Sequence, residues 1–164
     1  MTQTKLIAKR LITLLVLLAG AAHAQTIATN MKIDGLLGDS VLLGHENEIV
    51  LTGYSQTIGT KICSRVVVTK LIDRSSPGLV SRTAGNVTTP QVIITLSKLG
   101  VGPGPLDFFR VTLDQVTFER LELGEQTDQL MERVVMAPRL IRIEYRTQLS
   151  NGSLGPPITS SIAC

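Results

Sequence analysis

The chain has 164 residues, with 16 Lys and Arg against 13 Asp and Glu, two cysteines and no tryptophan. Three of the basic residues (Lys5, Lys9, Arg10) and none of the acidic ones fall in the first 24 positions, which leaves 13 of each beyond them. That balance implies no basic face for nucleic acid, and five Tyr and Phe in all are few for a carbohydrate-binding platform.

The positive start is followed by an uncharged apolar stretch, Leu11 to Ala22, and then by Ala22-His23-Ala24. Charge, apolar run and small residues in that order read as a secretory signal peptide, with cleavage expected between Ala24 and Gln25. The run is too short and wrongly flanked for a stable membrane span. The expected organisation is therefore 1–24 signal peptide, 25–148 one β-rich domain, and 149–164 an irregular C-terminal tail. The remaining 140 residues suit a single core, filled by Val, Ile and Leu because aromatics are scarce.

Ile27 to Ile33 reads as a first strand, ended by Asp34-Gly35. Leu36, Leu37, Gly38, Asp39, Ser40, Val41, Leu42, Leu43 and Gly44 form a Gly-punctuated loop. Glu48 to Tyr54 alternates in part and gives a second strand; Gly59-Thr60 turns the chain into a third, Ile62 to Ile72. That third strand is apolar on both faces, which asks for a partner on the second. Val92 to Leu99 is a fourth strand, and Gly100 to Pro105 is irregular. Phe109, Val111 and Leu113 alternate, then Val116 and Phe118 do so in the opposite phase, so a bulge or bend is expected near Asp114-Gln115. A loop at Glu122 to Gln129 precedes a last long strand, Glu132 to Thr147.

Between the third and fourth strands lies one helix-sized insert. Ser75 or Ser76 is placed to cap it, Pro77 suits the first helical position, and Gly85 suits the left-handed residue that ends it. Leu79, Val80, Thr83 and Ala84 share one face at helical spacing. A short amphipathic helix of this kind is held only by packing across the β-structure.

The ordered blocks "KIDGLLGDS" (32–40), "EIVLTGYSQTIG" (48–59), "VVVTKLIDRSSPGLVSRTAGN" (66–86), "VIITLSKLG" (92–100), "FFRVTLDQVTF" (108–118) and "ERVVMAPRLIRIEY" (132–145) resemble the haemolysin-coregulated protein family, the inner-tube protein of type VI secretion systems. The most specific block carries Thr69, Lys70, Asp73, Ser75, Ser76 and Pro77. The resemblance implies a two-sheet β-barrel with one short helix packed against it. It also implies homo-oligomeric rings, hexameric in that family, which stack into a tube whose lumen holds protein cargo. The 36–44 loop would reach toward the neighbouring ring. Neither catalysis nor a cofactor is implied. Tube subunits normally carry no signal peptide, so the leader points to an exported relative. The alternative is an exported monomeric β-barrel that acts as a binding module.

Candidate chemistry elsewhere is thin. Beyond the leader the one histidine is His45, read as a solvated loop residue, and the carboxylates Asp34, Asp39, Glu46 and Glu48 read as a solvated loop face. No HxxxH or CxxC metal spacing occurs, and "GLLGDS" lacks the lysine of a phosphate loop. Cys63 and Cys164 are an even pair which export would place in an oxidising compartment, so a disulfide between them is expected.

Overall fold

The computed structural model describes residues 26–59, 62–100, 103–126 and 128–164, with the backbone alone for Ile62, Cys63 and Ser64. The segment 1–24, expected to be a signal peptide, and the Cys63 side chain lie outside the described residues. The elements are β1 (Ile27–Ile33), β2 (Ile49–Val50), β3 (Gly53–Gly59), β4 (Ile62–Leu71), α1 (Ser76–Ala84), β5 (Thr88–Lys98), β6 (Leu106–Gln126), β7 (Gln129–Ala137), β8 (Leu140–Gln148) and β9 (Leu154–Ala163).

Every strand pairing is antiparallel, in the order β2-β1-β5-β6-β7-β4-β3, with β8 branching from β6 and β9 pairing β8. All nine strands belong to one continuous sheet, and the 21-residue β6 runs through both of its halves. Its first half pairs β5 and β8, and its second half pairs β7. β7 and β8 read β6 in one register, with Thr117 opposite Ala137 and Asp114 opposite Leu140. They are one long strand interrupted at Pro138-Arg139, where proline supplies no ladder N–H. The bend in β6 falls where the apolar phase slips: Gln115 has φ 51, so Val111 and Leu113 before it and Val116 and Phe118 after it all reach the core. The two sheet edges are stitched by one dipeptide, since Leu51 N–H donates to Thr29 O at 2.9 Å and Thr52 N–H to Thr69 O at 2.8 Å.

The core between the two halves is Val, Ile and Leu with Met31, Met136 and Phe118. Three expectations need correction. The expected second strand is broken into β2 and β3 at Leu51-Thr52, where the chain passes from one sheet edge to the other. The expected loop at 122–129 is mostly strand, because β6 continues to Gln126 before returning through Asp128 at φ 59. The expected irregular tail contains β9, which pairs β8 from Leu154 to Ala163. Pro156 and Pro157 masked it in the sequence, yet an outer strand tolerates proline.

Candidate functional site

Position 70 faces inward on β4, in line with the buried Val66 and Val68. Lys70 there is 0% exposed and lies opposite Glu132 on β7, also 0% exposed. The ammonium reaches Glu132 Oε2 at 2.7 Å, Asp73 Oδ1 at 2.8 Å and Ser76 Oγ at 3.1 Å. A buried cation is tolerable only when its donors are satisfied this fully. Asp73 Oδ1 also accepts from Ser75 N–H at 2.8 Å, and Asp73 N–H donates to Ser76 Oγ at 3.0 Å. Burial would raise the Asp73 carboxyl, but the Lys70 ammonium and the Ser75 hydrogen bonds outweigh it and hold it below its ordinary value. The Lys-x-x-Asp-x-Ser-Ser-Pro block is thus a polar anchor that starts α1 at the end of β4.

α1 places its face as follows. Leu79 is wholly buried and Thr83 is half-buried, whereas Val80 is 43% exposed and Ala84 is exposed. The stripe is narrower than the spacing implied. Ser75 makes no side-chain cap, since its hydroxyl donates to Asp73 Oδ1. Gly85 ends the helix at φ −82, and the left-handed turn falls on Asn86 at φ 50.

The 36–44 loop is docked on this helix. Leu36 packs against the core and over Gly78. Arg74 Nε donates to Gly38 O at 2.6 Å, and its guanidinium meets Asn47 Oδ1 at 2.6 Å and Asp39 at 3.0 Å. Arg82 donates to Asp34 O at 2.9 Å. Gly38 is buried with its N–H on Asn47 O at 2.8 Å, and a Cβ there would sit 2.4 Å from Glu48 O. Ser40 is buried, Leu42 half-buried, and Gly44 turns the chain at φ 80. Above this frame Leu37, Val41 and Leu43 stand exposed, Val41 at 92%.

His45 is not solvated. It is 5% exposed, with Nδ1 2.8 Å from Glu48 Oε2 and Nε2 3.0 Å from Asp107 Oδ1. Burial would lower its pKa, but hydrogen bonds and charge from Asp107 and Glu48 raise it above the ordinary value. Ser97 Oγ lies 3.5 Å from Nε2, which gives a serine–histidine–acid grouping. Its hydroxyl donates instead to Asp107 Oδ1 at 2.7 Å, and Ser97 is 0% exposed. A nucleophile must meet its substrate, so this cluster is a clamp. Glu48 therefore leaves the solvated carboxylate face, while Asp34, Asp39 and Glu46 stay exposed. Among the described residues no His, Cys, Asp and Glu grouping is arranged to hold a metal, and no helix is long and apolar enough to cross a membrane.

On β4, the second apolar face is left half-covered: Val67 is half-buried and Leu71 exposed. β3 and β9 each pair with one strand among the described residues. Cys164 closes β9, its N–H on Arg139 O at 2.7 Å.

A profile of the family described as "Type VI secretion system effector, Hcp" matches residues 30–145. "Protein hcp1" of Pseudomonas aeruginosa is 28% identical over 87 residues, 52% of this chain and 53% of that protein. The chain thus matches about half the length of that curated relative. Among solved structures, Hcp1 from Salmonella typhimurium has a TM-score of 0.74 at 25% identity, over 84% of this chain and 94% of its own. A type VI secretion system effector from Yersinia pestis has a TM-score of 0.71 at 20% identity, over 83% of this chain and 99% of its own, a likeness of fold. With a profile match across most of its length and a shared fold, the chain belongs to the Hcp family of type VI secretion proteins.

Proposed function

We propose that this chain is an exported tube subunit with no catalytic role. Copies form hexameric rings through their strand-bearing faces, and rings stack through the 36–44 loop around a lumen able to hold protein cargo. The carrying observation is that loop: its base is tied by Arg74, Gly38 and His45, while Leu37, Val41 and Leu43 point outward. A rigid frame under an apolar crest suits docking, because little ordering entropy remains to be lost on contact. The half-covered outer face of β4 supports the lateral contact.

Sedimentation and negative-stain microscopy of the chain from Gln25 onward test this. Rings that stack, and that lose stacking but keep the ring in Val41→Asp, are expected. A monodisperse monomer at high concentration would overturn the reading in favour of an exported binding module.

On the same reading Cys63 and Cys164 form an intrachain disulfide pinning the end of β9. The β4–β7 register, with Val66 opposite Met136, runs toward the same Pro138-Arg139 corner to which Cys164 is bonded. Closing a loop of about 100 residues stabilises by up to about 4 to 5 kcal/mol in the chain-entropy picture. Non-reducing electrophoresis with thiol titration is the check. Two free thiols would reject any bridge, and a covalent ladder would show a bridge between subunits instead.

A further inference from the structure

We propose that His45 is a pH-sensitive latch, which locks the 34–48 loop and its apolar crest onto β5 and β6 and releases it as the pH rises.

The warrant is geometric. Both ring nitrogens face carboxylates, Glu48 at 2.8 Å and Asp107 at 3.0 Å. An ionised carboxylate only accepts hydrogen bonds, so both contacts form only when both nitrogens carry protons. Neutral imidazole would turn a lone pair toward one of the two carboxylates, and a buried attraction would become a repulsion. Every element packed on the ring contributes to this balance. Glu48 comes from the loop's exit into β2, and the Ser97 hydroxyl from β5 donates to Asp107. Asp107 comes from β6, with Arg110 of the same strand behind it at 3.8 Å. In the loop itself Glu46 is exposed and Asp39 is engaged by Arg74. The ring therefore faces two carboxylates, and Arg110 stands behind one of them.

The latch also has something to hold. Within the loop, Gly38 N–H bonds Asn47 O, Ser40 N–H bonds Glu48 O and Asn47 N–H bonds Ser40 O. These bonds shape the loop without tying it to β5 or β6. On the helix side Arg74 and Arg82 tie it down, and on the β5–β6 side His45 does, across 62 residues of sequence. Only the His45 tie titrates near neutrality. Because the folded state favours the charged ring, its contribution is complete below the ordinary histidine value of 6.5 and is lost as pH rises through the higher folded value.

This inference stands apart from ring stacking and is tested without it. Hydrogen exchange of the Gly38, Ser40 and Asn47 amides is followed from pH 6 to 9, corrected for intrinsic rates, alongside the His45 ring shift by NMR. Protection of these amides is expected to fall by up to about tenfold per pH unit between the ordinary value of 6.5 and the His45 midpoint, and to level off above it, while the Val111 and Leu113 amides hold. Asp107→Asn should move the midpoint to lower pH, and His45→Gln should abolish the slope. If Asp107→Asn does not fold, Glu48→Gln gives the same reading from the other side of the ring. A His45 midpoint at or below 6.5, or a slope retained in His45→Gln, would overturn the latch.

Discussion

Two buried basic side chains anchor two neighbouring regions of this molecule, Lys70 under the helix and His45 under the loop, and they are built to different ends. Lys70 is fully enclosed and meets Glu132, Asp73 and Ser76, so its partners come from β7, from the turn and from α1 itself. His45 meets two carboxylates and keeps its charge only while the pH allows. The same device, a basic group between two acids, is thus a fully enclosed anchor in one place and a pH-sensitive one in the other. The loop that carries the exposed crest rests on both.

The harshest way to break that comparison is to remove the enclosed anchor. Lys70→Met leaves the buried Glu132 carboxyl without its basic partner, and stripping one member of a buried pair costs about 3 to 5 kcal/mol. Chemical denaturation should show a loss of that size. The double variant Lys70→Met/Glu132→Leu should recover most of it, since the orphaned carboxyl is then gone as well. A double variant as unstable as the single would mean that the pair stabilises the fold by more than satisfying its own charges.

Leu79→Asp attacks the helix through its apolar contact. The side chain is 0% exposed, and an unpaired carboxylate placed there costs about 3 kcal/mol or more unless it takes up a proton. Loss should be smaller at pH 4 than at pH 7, because the protonated acid is cheaper to bury. Val80→Asp, on the exposed side of the same turn, should change stability by less than about 0.5 kcal/mol. Equal losses at the two positions would mean that α1 is buried on more than one face.

How far the two regions were legible in the sequence follows from the range of their contacts. α1 announces itself in adjacent residues: Ser-Ser-Pro at its start, Leu79 inside and Gly85-Asn86 at its end. The details were lost because Asp73, not Ser75, holds the first turn, and because Asn86 took the left-handed turn in place of Gly85. The His45 clamp was invisible, since its partner Asp107 is 62 residues away and a histidine between Gly44 and Glu46 looks solvated. The same limit hid β9: Gly155-Pro156-Pro157 reads as a breaker until a neighbouring strand, β8, is there to pair with it. In β6, by contrast, the phase slip was local, and the bend at Gln115 could be read directly.

Titration sharpens the contrast with a smaller effect of opposite sign at each site. Asp73 has its pKa lowered in the fold, so its contribution is present above its ordinary value near 3.8 and is lost as pH falls through the lower folded value. His45 has its pKa raised, so its contribution is lost as pH rises. Stability should therefore weaken from the helix side in acid and from the loop side in alkali. Denaturation midpoints across pH should lose their acid limb selectively in Asp73→Asn and their alkaline limb in His45→Gln. A single variant that flattened both limbs would merge the two clusters into one network.

The smallest expected effect lies at the joint between the two regions. Gly78 sits in α1 directly beneath Leu36 of the loop, and an added Cβ would come 2.2 Å from Leu36 Cδ1. Two terms oppose each other in Gly78→Ala. Replacing glycine inside a helix gains up to about 1 kcal/mol of propensity, while the methyl must push aside the far end of one flexible side chain. Leu36 is only half-buried, so it has room to turn, and the net change in stability should stay within about 1 kcal/mol. The displacement itself is the informative quantity. Leu36 begins the stretch that carries Leu37 and Val41, so a shift there should raise amide exchange at Gly38 and Ser40 by more than the small change in the unfolding midpoint accounts for. Both should hold at pH 6, and the exchange should rise further as rising pH removes the His45 tie. If Gly78→Ala costs several kcal/mol, the helix and loop are a single packed unit. The division into an enclosed and a titratable anchor would then fail.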